Sequence, residues 1–136
     1  MATRYRYGWR MTITVADLAA SKYVLLTTYR KDGRPVATPV WAVPYDDGLA
    51  VWTAVSSGKV KRVRRTSEVT VASCDFRGGS VGPAVAGRAQ VLDAAGTARV
   101  RQELKRKYGI SARLTFAFSA LRRGSTGTVG ITVAPR

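Results

Sequence analysis

Two Asp-Gly pairs constrain this chain more than any other feature. Asp32-Gly33 and Asp47-Gly48 separate runs rich in Val, Leu, Thr, Tyr and Trp within KYVLLTTYRKDGRPVATPVWAVPYDDGLAVWTAV. Asp-Gly between apolar runs is a strong hairpin signal. Residues 23–30, 34–44 and 48–55 therefore read as three strands of an antiparallel meander. Pro35, Pro39 and Pro44 fall in or beside the second strand. Proline donates no ladder hydrogen bond, so this strand must be irregular, edge-like or bulged. Backbone left unpaired there is available to a ligand.

Three more strands follow at 69–76, 84–92 and 127–134, with Gly87 as a bend. Helices are expected at 15–21, at 58–66 and at 94–108, the last ended by Gly109. Asp17 and Asp93 read as helix caps. Residues 113–119 fit a strand or a helix. Six apolar strands would expose aggregation-prone edges in an open sheet, and a barrel removes them. The fold class is thus mainly β with minor α, a six-stranded antiparallel barrel with attached helices. The 136 residues suit one domain, divided here into an arm over 1–15 and the barrel over 16–136. No run approaches 18 apolar residues, and the N-terminus lacks a secretory h-region, so the reading is a soluble cytoplasmic protein.

Several chemistries drop out. Histidine is absent, which removes Ser-His and Cys-His sites and the commonest general base. Cys74 is the single cysteine, so neither an internal disulfide nor a cysteine metal cluster can form. Its alternating context, EVTVASCDF, suits a small buried thiol. The 8 acidic residues fall mostly in turns, caps and strand ends, leaving no carboxylate pair for glycosidase-type chemistry. No metal site is expected. If the chain is an enzyme, a bound cofactor carries the chemistry.

The 23 Lys and Arg residues give a net charge of +15, which favours anionic partners. The charge is densest in TAVSSGKVKRVRRTSEV, residues 53–69. Val60 and Val63 would share one helix face, with Lys61, Arg62, Arg64 and Arg65 spread over the other. Ser56-Ser57-Gly58 offers an N-cap. Hydroxyls at Thr53, Ser56 and Ser57, free helix N–H groups and Lys59 together make an anion site. A lysine at the positive end of a helix dipole is unfavourable unless an anion sits there too. A solvated helix face is the plain alternative.

The run LLTTYRKDGRPVATPVWAVPYDDGLAVWTAVSSGKVKRVRRTSEVTVASCDFRG resembles the pyridoxamine 5′-phosphate oxidase-like, split β-barrel flavin and deazaflavin oxidoreductases, and most of all their actinobacterial F420-dependent branch. GRPVATPVW, the SGKVKRVRR turn-helix and RVRQELKRKYG match in order and spacing over roughly residues 16–134. The resemblance implies an FMN-binding-type split barrel forming a homodimer, with cofactor sites at the subunit interface. It places Thr38, Pro39, Val40 and Trp41 along the ring system, and Thr53, Ser57 and Lys59 at the phosphate. Lys61, Arg62 and Arg65 would reach an anionic tail. The implied reaction is hydride transfer between F420 and a small-molecule substrate, which stays unknown, as does any catalytic acid.

This chain departs from the true oxidases. It has Ser57-Gly58-Lys59 where they carry Ser-Arg-Lys, Val43 where their second strand ends on lysine, and no histidine for their C-terminal substrate motif. These losses favour F420 over FMN and argue against vitamin B6 oxidation. The alternatives are an FMN-binding member, a cofactor-binding domain without catalysis, and a nucleic-acid-binding protein. The last would use the Arg-aromatic arm RYRYGWR for stacking and the helix cations for phosphates.

Overall fold

The computed structural model describes the backbone of residues 5–6, 9–10, 13–123 and 127–136, and the side chains of 13–122 and 127–136. In the arm, β1 (Tyr5–Arg6) pairs with β2 (Trp9–Arg10). The arm's side chains, and with them its proposed stacking role, lie outside the described residues. The domain then runs α1 (Val15–Leu18), β3 (Tyr23–Tyr29), β4 (Pro35–Val40), β5 (Val43–Tyr45), β6 (Gly48–Ala54), α2 (Gly58–Arg65), β7 (Glu68–Cys74), β8 (Val85–Val91), α3 (Ala94–Tyr108), α4 (Ile110–Arg123) and β9 (Thr128–Pro135).

The main sheet is antiparallel with order β4-β3-β7-β8-β9-β6-β5. It has seven strands, where the sequence predicted six. The difference lies in residues 34–44, which break at Trp41 and Ala42 into β4 and β5. The first half pairs with β3 and the second with β6. The two ends of the sheet are therefore joined by the chain itself, and the sheet curls into a split barrel. The flanking Pro39 and Pro44 explain the break, because neither can donate to a ladder.

The freed backbone at the break is satisfied from α3. The Lys107 ammonium donates to the carbonyls of Ala42 (2.6 Å), Ser21 (2.6 Å) and Ala19 (2.7 Å). The Tyr108 hydroxyl accepts from the Ala42 N–H at 3.2 Å and donates to the Lys22 carbonyl at 2.6 Å. Its ring stacks on Trp41, with centroids 4.5 Å apart and planes 11° apart.

Two apolar clusters follow from strand alternation. Val24 and Leu26 of β3, Leu49 and Val51 of β6, Val69 and Val71 of β7, and Val129, Ile131 and Val133 of β9 fill the barrel. Val15 and Leu18 of α1 and Val60 and Val63 of α2 also pack into it. Outside, Val43, Tyr45 and Ala50 meet Val100 and Leu104 of α3 and Ala112 of α4, with Trp41, Trp52 and Phe116 packed alongside.

Several local details differ from the sequence reading. Helix α1 is shorter than 15–21. Its N-cap is Thr14, and Asp17 is the third-position partner in a reciprocal capping box. Asp93 does cap α3, accepting from the Gly96 N–H at 2.8 Å. The ambiguous 113–119 segment lies inside α4. In the β5–β6 hairpin Tyr45 pairs with Gly48, so the turn residues are Asp46 and Asp47, and Asp46 takes the positive φ of 50°. Gly48 is needed for space instead, since a Cβ there would lie 2.0 Å from the Val133 carbonyl oxygen. Gly33 is a true turn glycine with φ of 90°.

Replacing Lys107 by Met should remove one bond to the Ala42 carbonyl at the break and two to the Ala19 and Ser21 carbonyls before β3. We expect a loss of about 2–3 kcal/mol, the range of hydrogen bonds to a charged group, read from urea unfolding at neutral pH. Tyr108→Phe keeps the stacking on Trp41 and should lose about 1 kcal/mol.

Candidate functional site

Strand β4 carries the first group of predicted residues. Thr38 lies opposite Leu26 and Val40 opposite Val24, so both share the inward face of those core residues. Pro39 lies opposite Leu25 on the outward face and is exposed. The Thr38 hydroxyl is buried with no hydrogen-bond partner, an uncommon state for a buried polar atom. Pro39, Val40 and Trp41 come together with Tyr23, Trp52, Leu104 and Thr115 around a cleft of about 290 Å³. Its lining is mainly aromatic and aliphatic, suited to a flat ring.

The second group gathers at the opposite end of β4, where α2 begins. The Thr53 hydroxyl donates to Ser57 Oγ at 3.2 Å. Ser57 holds the N-cap position of α2, but its side chain caps no N–H. The Val60 N–H bonds the Ser57 carbonyl at 3.2 Å, which leaves the N–H groups of Gly58 and Lys59 to meet an anion. Lys59 is half-buried, and its pKa is pushed below the ordinary lysine value, first by burial and then by the Arg62 charge. An anion at this position would oppose both effects.

The cations of α2 divide by task. Arg62 Nε donates to Thr28 Oγ1 at 2.6 Å, and Arg65 donates to the Tyr29 carbonyl. Both therefore brace the helix against β3. Arg62 also faces a cleft of about 360 Å³ with Lys61 and Gly58. Its guanidinium lies over Gly58, where an added Cβ would come within 2.5 Å of a terminal nitrogen.

The structure brings further cations to this cleft. Arg30, Lys31 and Arg34 of the β3–β4 hairpin line its other side. Asp32, the acid among them, is held by Arg34 at 2.8 Å. Burial and the neighbouring Arg30 lower the pKa of Arg62, but an arginine stays charged. The sequence signal for these residues was the cationic RKDGR turn itself. Its position beside α2 depends on barrel closure, which local pattern does not reveal. Within one chain the two clefts share no lining residue. They lie at opposite ends of β4, whose five residue steps from Pro35 to Val40 span roughly 17 Å at ordinary strand rise.

Cys74 is only half-buried, less than its strand pattern suggested. Burial first, and then Asp75, raises its pKa, which disfavours a reactive thiolate. Among the described residues no group of three or more His, Cys, Asp or Glu is placed to hold a metal. No described helix is long and apolar enough to cross a membrane.

This split antiparallel barrel is the fold of a known family. The family model for pyridoxamine 5′-phosphate oxidase matches residues 12–135, and the chain belongs to that family. Solved structures agree on the fold. A conserved hypothetical protein from Mycobacterium tuberculosis is 20% identical with a TM-score of 0.67, over 98% of this chain and 86% of the other. An FAD-binding protein from Mesorhizobium loti is 20% identical with a TM-score of 0.53, over 88% and 84%. A haem storage protein from Vibrio cholerae is 12% identical with a TM-score of 0.56, over 88% and 84%. No curated protein matches the chain.

Replacing Arg62 by Gln removes the charge that lowers Lys59 while leaving the burial. The Lys59 pKa should rise part of the way back toward 10.5, its ordinary value. An NMR titration of the lysine side chains reads this directly, and a fall would contradict the electrostatic picture.

Proposed function

We propose that this chain is an F420-dependent oxidoreductase that transfers a hydride between the cofactor and a small organic substrate. The observation that carries the reading is the cleft faced by Arg30, Lys31, Arg34, Lys61 and Arg62, with an aromatic cleft at the far end of the same strand. F420 joins a flat deazaflavin to a long anionic tail with a phosphodiester and γ-glutamyl carboxylates. One terminal phosphate, as in FMN, would leave most of these cations without an anion.

The residues present fit such a group. Pro39, Val40 and Trp41 would orient the ring by packing, with Thr38 behind them on the inward face of β4. Thr53, Ser57 and Lys59, with the uncapped start of α2, would hold the phosphate. Lys61 and Arg62 would meet the tail, joined by Arg30 and Arg34. Arg65 would contribute by fixing the hairpin carbonyl of Tyr29. The deazaflavin, when bound, supplies the hydride chemistry. The chain supplies orientation and exclusion of water. No side chain is assigned here as the proton donor. The separation of the two clefts within one chain favours a homodimer, in which a second copy completes each site.

A parallel titration of F420 and FMN at fixed salt tests the assignment. We expect F420 to bind well ahead of FMN. Lys59→Ala should weaken F420 binding by about 1.5–3 kcal/mol, typical of a hydrogen bond to a charged group, and Arg106→Ala should leave it unchanged. FMN binding without F420 binding would reverse the cofactor assignment. Binding of neither would remove it.

A further inference from the structure

We propose that a third cavity, between α3, α4 and the outer face of the barrel, is a binding site for a small oxyanion carried as a carboxylate or phosphate group. The cavity measures about 180 Å³ and is lined by Trp52 of β6, Arg101 and Lys105 of α3, Phe116 and Ser119 of α4, and Thr128 of β9.

Two of these residues are anomalous as pure packing elements. Ser119 is only 6% exposed, and its hydroxyl has no hydrogen-bond partner. The Trp52 indole nitrogen is likewise buried and unpartnered. A buried orphan donor costs stability unless something in the structure or a ligand meets it. Both belong to residues that line one small cavity. An indole N–H can only donate, so whatever meets it must accept.

The charges fix the sign. Arg101 and Lys105 line the cavity, and no acid does. Among the described residues neither forms an ion pair or a hydrogen bond, in contrast to Arg99, which pairs with Asp46 at 3.0 Å. Lys105 sits 5.9 Å from the Phe116 ring centroid. Asp93, which lines the adjoining cavity with Arg101, is occupied as the cap of α3. A pair of cations beside an indole N–H and two hydroxyls is a donor set for an oxyanion. The volume admits an anion of several heavy atoms and is too small for a nucleotide or for F420. The inference does not rest on the F420 reading, although Trp52 also walls the aromatic cleft.

The test follows the Trp52 indole N–H by ¹⁵N NMR in the full chain, assigned by its loss in Trp52→Phe. Inorganic phosphate and acetate are titrated separately at constant ionic strength set with chloride. We expect a saturable shift of the Trp52 signal, and the anion that saturates at lower concentration identifies the preferred headgroup. Arg101→Gln with Lys105→Gln should raise the apparent Kd at least tenfold, and Ser119→Ala severalfold, while Lys59→Ala leaves it unchanged. Saturation unaffected by Ser119→Ala and by the double variant would overturn the site. A linear drift equal to that with chloride, or no shift at all, would show that the cavity holds only water.

Discussion

At Trp41 and Ala42 the chain passes from one half of the sheet to the other and gives up its ladder bonds. Every later feature of the barrel depends on how that gap is sealed. Lys107 has three N–H donors, and all three meet carbonyls, from Ala42, Ser21 and Ala19. Burial lowers the pKa of this lysine, while the three carbonyl bonds act on its charged form and oppose that effect. Tyr108 completes the seal with its hydroxyl and covers Trp41 with its ring. The C-terminal end of α3 is thereby fixed to the broken strand. The start of α4 follows one residue later, which holds the α3–α4 pair against β6.

The same closure organises the positive charge. A net charge of +15 repels a compact chain unless the cations are spread or find partners. Arg62 and Arg65 are spent partly on Thr28 and the Tyr29 carbonyl, which ties α2 across the end of the barrel. Their neighbours Lys61, Arg30, Lys31 and Arg34 stay directed at a common cleft. Bracing and the shape of the cleft are therefore coupled, because the contacts that seat α2 also aim its lining. Lys59, half-buried beside Arg62, bears the electrostatic strain of this arrangement.

Much of the strand plan was legible because alternation and Asp-Gly turns are local signals. The prolines foretold an irregular second strand, and the structure divides it at Trp41 and Ala42. The pairing of each half with a different neighbour was not legible, since that is a property of closure. The turn at Asp46-Asp47 falls between the strands as read, but its glycine has another task. Gly48 is required by the Val133 carbonyl of a strand more than eighty residues away. In the candidate site, Pro39, Val40 and Trp41 do share a cleft, as do Lys61 and Arg62. Thr53 and Ser57 meet each other at the start of α2. Arg30, Lys31 and Arg34 carry no local signal of a site, because a charged turn looks like an ordinary solvated loop.

By itself the sequence determined the strands, most of the helices, the exclusion of histidine chemistry and of cysteine pairing, and the excess of positive charge. These follow from residue type and short-range periodicity. Tertiary structure alone decided which cations share a cleft, which brace the fold, and which donors are left buried without partners. Each of those outcomes depends on contacts between residues far apart in the chain, and they exist only once Lys107 and Tyr108 have closed the barrel at its broken strand.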